Sequence, residues 1–348
     1  MIRELYIKNF KSIEEYRFGL KGLNLFVGPN SSGKSSVIQA LLLACDNART
    51  DSEQHKLVCK HMKTPSFKEV RNFVTNAKSY TVAIDDVEMT FTPADDYLTG
   101  TMVKQSAGFE EERRNFLSGK VLYLPAARTY ELSETGINQD SESNALGLWG
   151  EYVIDYFQNH KDDILPESVI KDRSSLTFSG QLNYWLWKLT GYGIQVQLDG
   201  AEYKVRYIGV GKKEIHPHHV GTGVSFITGV LIAGLASCLG GGLLLIENPE
   251  IHLHPSAQAD ILDFLSMIAV SGPEVMVETH SDHLFNGVRR LLCGGALAEK
   301  DVSVFNFRRA DNGTSVITSI ILNQYGGIDN DEPGLFDQFD KDLQAIVG

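Results

Sequence analysis

A run of glycine, serine and lysine near the start of the chain has the residue types that bind phosphate. It follows the pattern G-x-x-x-x-G-K-[ST] over residues 28–35. In this pattern, backbone N–H groups and a helix N-terminus surround the phosphate oxygens. We expect Lys34 to reach the β- and γ-phosphates of a nucleotide and the Ser35 hydroxyl to ligate Mg²⁺. The phosphate-binding residues predicted here are Gly28, Pro29, Asn30, Ser31, Ser32, Gly33, Lys34, Ser35 and Ser36.

A second candidate site follows the apolar run at residues 243–246. Glu247 ends this run, at the position from which a carboxylate holds Mg²⁺ at the end of a buried strand. The sequence therefore predicts that Glu247 and Ser35 are the metal-binding residues. Asn248 and Glu250 come next and are candidate catalytic residues.

His280 ends another apolar run, at residues 275–279. A histidine there can bond the γ-phosphate or the attacking water. A purely structural histidine is the alternative, but the other nucleotide-binding features favour a catalytic role.

Two further features leave alternatives open. Arg128 comes just after the apolar strand predicted at 121–125 and is either a phosphate ligand or part of a surface salt bridge. Residues 221–225 open an apolar helix predicted over 226–239. That helix start is either a second anion site or a tight turn needed only for packing.

Residues 49–78 form the most basic window, which is either a solvated surface, the reading we favour, or a contact for nucleic acid or an acidic partner. His55, Cys59 and His61 lie in this window, but zinc is not favoured because a fourth ligand is not evident.

The elements that must position these residues follow from hydrophobic periodicity. Strands are predicted at 2–8, 12–18, 23–27, 80–84, 87–92, 121–125, 194–208 as a hairpin, 243–246, 275–280, 302–308 and 314–322. Helices are predicted at 36–44, within 129–192, and at 226–239, 258–268 and 282–292.

Composition indicates a globular protein. The 348 residues are 43% hydrophobic and 22% charged, with a net charge of −12, which argues against a surface coated in basic residues for nucleic acid. Glycines interrupt the apolar stretch 227–246, so we expect a buried helix and strand and no membrane span. No signal peptide is evident, and four dispersed cysteines suit reduced thiols in a cytoplasm.

Longer stretches around these motifs resemble a known group of ATPases. Residues 5–12, followed by 27–36, look like the opening of ABC-type ATPases of the RecF, SMC and OLD group. The segments that resemble the OLD-like branch are 66–70, 123–128, 246–255 and 279–281. The chain is identified as a member of this group from residue 2 to about residue 340.

The resemblance implies an α/β fold, a P-loop NTPase (ABC ATPase-like) core with a β-rich N-terminal lobe and a helical insertion. It implies one ABC-type ATPase domain over 1–348. The parts are an N-terminal P-loop lobe (1–128), a helical insertion (129–192), a signature and Walker B lobe (193–325) and an acidic C-terminal tail (326–348).

The resemblance also implies ATP and Mg²⁺ as ligands. Glu247 stands where the Walker B acid ligates Mg²⁺, and His280 resembles the switch histidine. Gly223 and Ser225 resemble a degenerate ABC signature, which in the family completes the partner subunit's site. Two chains would then enclose two nucleotides head to tail, in a homodimer or higher oligomer.

Two departures from the family pattern qualify this expectation. Asn248 replaces the usual glutamate that acts as general base, so Glu247 or Glu250 supplies the base, or hydrolysis is slow and nucleotide acts as a switch. The two-metal motif of the Toprim nuclease domain, found in OLD nucleases, is not evident, since the Asp-x-Asp at 329–331 lies in the acidic tail. We therefore expect no nuclease in this chain.

The sequence thus predicts a cytoplasmic, Mg-dependent OLD-like ATPase that dimerises around nucleotide and controls a protein effector, by family analogy in bacterial phage defence. Two alternatives remain. One is a RecF- or SMC-like repair ATPase that binds DNA, and the other is a non-hydrolysing scaffold locked by nucleotide. We also expect the acidic tail to dock through Phe336 and Phe339 on the basic window.

Overall fold

The structure is a computed structural model that describes residues 1–48, 66–93, 100–105, 121–128, 134–138, 145–200, 202–330, 335–336 and 338–347. Its strands are β1 (Glu4–Phe10), β2 (Ile13–Gly19), β3 (Leu23–Val27), β4 (Tyr80–Ile84), β5 (Val87–Pro93), β6 (Gly100–Gln105), β7 (Val121–Leu124), β8 (Glu134–Gly136), β9 (Gly193–Asp199), β10 (Glu202–Ile208), β11 (Glu214–Ile215), β12 (Leu243–Glu247), β13 (Glu274–Thr279), β14 (Val302–Arg309) and β15 (Ser315–Ile320). Its α-helices are α1 (Lys34–Ala48), α2 (Phe67–Val70), α3 (Val153–His160), α4 (Phe178–Thr190), α5 (Thr222–Gly240), α6 (Pro255–Val270), α7 (Asp282–Cys293) and α8 (Gln338–Val347).

A six-stranded sheet in the order β15-β14-β3-β13-β12-β7 forms the centre. All its strands are parallel except β15, which pairs antiparallel with β14 at one edge. Residues of β3, β12 and β13 are buried throughout, because both faces of the sheet are covered. Parallel strands end at the same edge, so the loops after β3, β12 and β13 lie together there.

The N-terminal strands form a separate antiparallel sheet in the order β2-β1-β4-β5-β6. Together with α1 it covers one face of the central sheet, and their apolar side chains form one core. Aromatic rings join the two sheets: the Phe18 and Phe305 ring centroids are 5.2 Å apart, and those of Phe18 and Phe26 are 6.0 Å apart. This packing holds the strand that leads into residues 28–35.

The opposite face of the central sheet is covered by α5 and α6, and α3 and α4 pack outside them in the second core. Helix α5 is apolar on all sides, as expected of a helix surrounded by protein. Within the described part of the chain it is the one helix long and apolar enough to cross a membrane, and 78% of its apolar window is buried inside the protein.

Helix α5 starts four residues earlier than the predicted Phe226, at Thr222. Gly221 is its extended N-cap residue, and Gly223 lies in its first turn. Glycine has low helix propensity, so a sequence pattern places the boundary too late. The predicted hairpin at 194–208 is confirmed, since β9 and β10 pair antiparallel around residue 200.

One of the two aromatic residues that we expected to dock the C-terminal segment contacts α7. The Phe336 ring packs on Phe285 of α7, with ring centroids 5.4 Å apart. Phe336 therefore contacts a helix face outside the basic window, where apolar burial of its ring is favourable. The side chain of Phe339 and residues 49–65 lie outside the described residues.

Candidate nucleotide site

A cavity of about 570 Å³ opens where the parallel strands end. The loop 30–36 forms one wall, and residues from the ends of β12 and β13 form the other, namely Glu247, Asn248, Glu278 and His280. The structure thus brings together most of the predicted site residues. The other predicted residues do not line it, namely Gly28, Pro29, Arg128, Gly223, Ser225 and Glu250.

Two glycines allow the phosphate-binding loop to pass close to its neighbours. Gly28 has φ +133°, and a Cβ there would lie 2.2 Å from the Phe307 carbonyl oxygen. Gly33 has φ +108°, and a Cβ there would lie 2.1 Å from Ser315 Oγ. A larger residue at either position would displace the loop from β14 and β15.

Ser12 and Ser315, which sequence analysis did not single out, support the loop from outside. Ser315 Oγ donates to the Ser32 carbonyl at 2.6 Å and lies 2.8 Å from Ser12 Oγ. These contacts join β15 and the turn after β1 to the loop, and their large separation in sequence left no local signal.

Lys34 is folded back onto its own loop. Its Nζ donates to the carbonyl oxygens of Gly28, at 3.0 Å, and Pro29, at 2.8 Å, and the residue is only 2% exposed. Burial lowers the pKa of Lys34, while the nearby carboxyl groups of Glu278 and Glu250 oppose that shift. The ammonium group must leave these carbonyls to reach a phosphate.

The Glu247 carboxylate is oriented toward the end of β7. Its Oε1 accepts a hydrogen bond from the Tyr123 hydroxyl at 3.0 Å, and its Oε2 accepts from the Ala126 N–H at 2.9 Å. Both carboxylate oxygens of Glu247 therefore already accept a hydrogen bond from a neighbouring residue.

Glu278 is the carboxylate that contacts the phosphate-binding loop directly. It pairs with Glu247 in the register of β12 and β13, and its Oε1 accepts from Ser35 Oγ at 3.0 Å. Burial, and secondarily the charge of Glu247, raises the pKa of Glu278 to about 7. Sequence analysis missed this residue, although a glutamate within the apolar run 275–279 is itself an unusual feature.

Glu250 and His280 form a second contact between the two strand ends. Glu250 Oε1 accepts from Thr279 Oγ1 at 2.7 Å and from the His280 N–H at 3.0 Å. Burial raises the pKa of this carboxyl group. Glu250 thus holds the backbone at His280 instead of facing the cavity.

The His280 ring closes the cavity beside the loop. Its Nδ1 lies 2.9 Å from the Gly28 carbonyl oxygen, so Nδ1 carries the proton in this contact. Partial burial, and then the charge of Lys34, lowers the pKa of His280. The neutral ring with a proton on Nδ1 leaves Nε2 as a hydrogen-bond acceptor.

Arg128 is buried, at 4% exposure, so the surface salt bridge considered from the sequence is wrong. Its guanidinium group donates to the carbonyl oxygens of Glu247, at 2.6 Å, and Asn248, at 2.9 Å. It thus holds the backbone after β12, where Asn248 has φ +47°, a conformation that asparagine tolerates better than most residues. This environment favours positioning of the strand end over direct phosphate contact.

The start of α5 lies against the loop that follows Asn248. A Cβ on Gly223 would lie 2.4 Å from the His252 carbonyl oxygen. Ser225 is buried and its Oγ accepts from the Tyr207 hydroxyl at 3.4 Å, whereas Thr222 is exposed. The exposed polar side chain at this helix start is therefore Thr222, which lies within the predicted segment 221–225 but was not among the predicted site residues.

The site has oxygen donors suited to Mg²⁺ but no complete protein cage. Among the described residues, no group of three or more His, Cys, Asp or Glu side chains is arranged to hold a metal ion. Mg²⁺ commonly binds one or two carboxylates together with substrate phosphates, so such an ion fits this site only with nucleotide. His55, Cys59 and His61 lie outside the described residues.

Comparison with known protein families gives two matches. Residues 1–121 and 151–285 match the family described as AAA ATPase domain, and this match includes the phosphate-binding loop, Glu247 and His280. Residues 297–346 match a protein family of unknown function, DUF3696. A search of curated proteins found no match.

Solved structures show the same fold. An SMC head bound to the C-winged helix domain of ScpA covers 92% of this chain and 98% of its own, with a TM-score of 0.62 and 14% identity. An SMC head with an extended coiled coil, bound to the C-terminal domain of ScpA from Pyrococcus furiosus, covers 100% of this chain and 99% of its own, with a TM-score of 0.59 and 13% identity. The predicted α/β P-loop fold of the ABC type is confirmed.

Proposed function

We propose that this chain, which belongs to the AAA ATPase domain family, binds Mg·ATP in the 570 Å³ cavity and hydrolyses it. One observation carries the proposal: the phosphate-binding loop, two strand-end carboxylates, Asn248 and His280 surround the same cavity. Loop N–H groups and the α1 N-terminus would bind the phosphates, and Lys34 would turn from its carbonyl partners toward them.

Mg²⁺ would supply charge neutralisation at the phosphate oxygens. His280 Nε2 would accept a hydrogen bond from the attacking water, and the Asn248 amide would orient that water. Asn248 cannot remove the proton, Glu247 is engaged by Tyr123 and Ala126, and Glu250 holds the His280 backbone. Turnover by the isolated chain would therefore be slow.

We further propose that two chains enclose two nucleotides head to tail. The exposed start of α5, at Gly221 and Thr222, would face the phosphates bound by the other chain, in the role that the sequence had suggested for Gly223 and Ser225. Gly223 would instead set the distance between α5 and the loop after Asn248, because its Cα packs against His252.

We propose that the nucleotide state of this ATPase controls an effector protein. The two proteins would act in the cytoplasm of a bacterium, in defence against phage. The OLD-like sequence segments support this role by analogy. Exposed apolar side chains, such as Ile164 at 71% and Trp187 at 48% exposure, are candidate contacts for such a protein.

A non-hydrolysing scaffold is the second candidate. It is favoured by Asn248 and by the engagement of both Glu247 carboxylate oxygens. In that case ATP would bind and stabilise an oligomer without turnover.

The experiment measures ATP turnover and, by light scattering, molecular mass with and without Mg·ATP. Lys34→Ala should abolish both turnover and ATP-dependent dimerisation. Lys8→Ala is the matched control, since Lys8 is an exposed lysine paired with Glu15 outside the cavity. Dimerisation without turnover would select the scaffold, whereas equal behaviour of Lys34→Ala and wild type would contradict both candidates.

A further inference from the structure

We infer that Glu278, and not Glu247, is the carboxylate through which this chain holds Mg²⁺ beside Ser35. The inference rests on the proposed binding of Mg·ATP and goes beyond it by reassigning the metal-binding carboxylate. Sequence position alone had assigned the metal to Ser35 and Glu247.

The first observation is the contact between the two oxygen donors. Ser35 is the serine of the phosphate-binding loop, whose hydroxyl ligates Mg²⁺ in this motif. Its Oγ donates to Glu278 Oε1 at 3.0 Å. A metal ligated by this hydroxyl therefore lies within reach of Glu278.

The second observation concerns the carboxylate oxygens that remain available. Glu278 Oε2 is buried and has no hydrogen-bond partner among the described residues. The two oxygens of Glu247 instead accept from the Tyr123 hydroxyl and the Ala126 N–H. Glu247 would have to abandon both donors to bind a metal directly. Glu278 also lines the cavity, and it would only have to turn toward the metal an oxygen that no described residue bonds.

The third observation is the charge balance around Glu278, which is 5% exposed. Lys34 Nζ, the nearest cation, lies 3.9 Å from Glu278 Oε1, and the proposed mechanism moves it toward the phosphates. A buried carboxylate that loses its cation is strongly destabilised. Mg²⁺ arriving with the nucleotide would replace the lysine as the positive partner of Glu278.

A role for Glu278 only as the counter-ion of Lys34 is the competing explanation. It predicts that replacing Glu278 changes nucleotide binding equally with and without metal. The metal-ligand role predicts a change only when metal is present, so the two explanations separate in one experiment.

The test measures Mn²⁺, as a probe for Mg²⁺, by electron paramagnetic resonance in the presence of a non-hydrolysable ATP analogue. Glu278→Gln should weaken Mn²⁺ binding about 10- to 100-fold, because a neutral amide is a poor ligand for a hard cation. Glu247→Gln should keep the Mn²⁺ affinity within about threefold of wild type. Nucleotide affinity in EDTA should remain within about twofold in both variants.

Glu274→Gln is the matched control. Glu274 is a second buried glutamate of β13, at its opposite end, where Oε2 accepts from the Ile2 N–H. It should leave Mn²⁺ binding unchanged, and Glu278→Asp, which keeps a carboxylate, should retain more Mn²⁺ affinity than Glu278→Gln.

Three results would overturn the inference: wild-type Mn²⁺ affinity in Glu278→Gln, loss confined to Glu247→Gln, or equal losses in Glu278→Gln and Glu274→Gln. If wild type binds no nucleotide even in EDTA, the proposed function fails and the inference fails with it. If nucleotide binds normally but Glu278→Gln has the Mn²⁺ affinity of wild type, the inference alone fails.

Discussion

Lys34 Nζ and the Gly28 carbonyl oxygen lie 3.0 Å apart, so the lysine of the phosphate-binding loop is bonded to the loop's own first residue. His280 Nδ1 donates to the same carbonyl at 2.9 Å. A nucleotide bound as proposed would draw Lys34 away from this oxygen, while His280 would keep its hydrogen bond. The proposed ligand would thus change one hydrogen-bond partner of the Gly28 carbonyl and leave the other in place.

His280→Gln should separate binding from turnover. The glutamine amide can still donate to the Gly28 carbonyl but offers no imidazole Nε2 to the water. We expect the turnover number to fall about 10- to 100-fold while nucleotide affinity changes less than about threefold. Steady-state kinetics with equilibrium binding measure both. Unchanged turnover would remove His280 from the proposed chemistry.

Gly223→Ala should destabilise the protein by about 2–3 kcal/mol, because the new Cβ would lie 2.4 Å from the His252 carbonyl oxygen. Gly221→Ala is the matched control two residues earlier, where φ is −60° and no described atom lies within 4 Å of a Cβ. Denaturant titration of both variants measures the difference. Equal stabilities would show that α5 does not press on the loop after Asn248.

Glu274 should make stability depend on pH. Burial raises the pKa of Glu274 to about 7, whereas an unfolded glutamate has a pKa of 4.5. The folded state therefore binds more protons between these values, and the free energy of unfolding should fall as pH rises from 4.5 to about 7. Below that window the group is protonated in both states and adds no cost.

Glu274→Gln should remove this part of the pH dependence. Above pH 7 the variant should be more stable than wild type by about 1–3 kcal/mol, and near pH 4.5 the two should converge. Its amide oxygen can still accept from the Ile2 N–H. Thermal unfolding across this pH range measures the difference, and parallel curves for the two proteins would contradict the prediction.

Asn248→Glu should restore a base where the family pattern has one. If the missing carboxylate limits hydrolysis, turnover should rise about 10- to 100-fold. The positive φ at this position, +47°, should lower stability by about 1 kcal/mol. Asn248→Gln is the matched control, since it carries the same strain and length without a carboxylate. No gain in the glutamate variant would show that another step limits turnover.

The sequence was sufficient for the central sheet because its strands are short, continuous apolar runs, such as residues 243–246, and for the phosphate-binding loop because its motif is local. It was not sufficient for contacts between distant segments. Glu278 meets Ser35 only through the register of β13 against β3, and Ser315 meets Ser12 across 303 residues. No periodicity in either segment encodes that register.

The structure also differs from the sequence-based expectations at Arg128 and at the start of α5. Arg128 follows a buried strand, and its position in the sequence does not decide whether its side chain is exposed or buried. The groups that bury it, the carbonyl oxygens of Glu247 and Asn248, are distant in sequence. The predicted start of α5 was too late because the N-cap residue, Gly221, and a residue of the first turn, Gly223, are both glycines, which are poor helix formers. Arg128 and the start of α5 matter for the site because both contact the backbone around Asn248.

The most direct test of the shared ATPase site is turnover by mixed dimers. Lys34→Ala disables the phosphate-binding loop, and Thr222→Trp blocks the exposed start of α5, so each variant alone should be inactive. An equimolar mixture should recover turnover that neither variant shows alone, up to about a quarter of wild type, because each mixed dimer would contain one intact site out of two. Activity of Thr222→Trp alone, or no recovery in a mixture of folded variants, would contradict a site built from two chains.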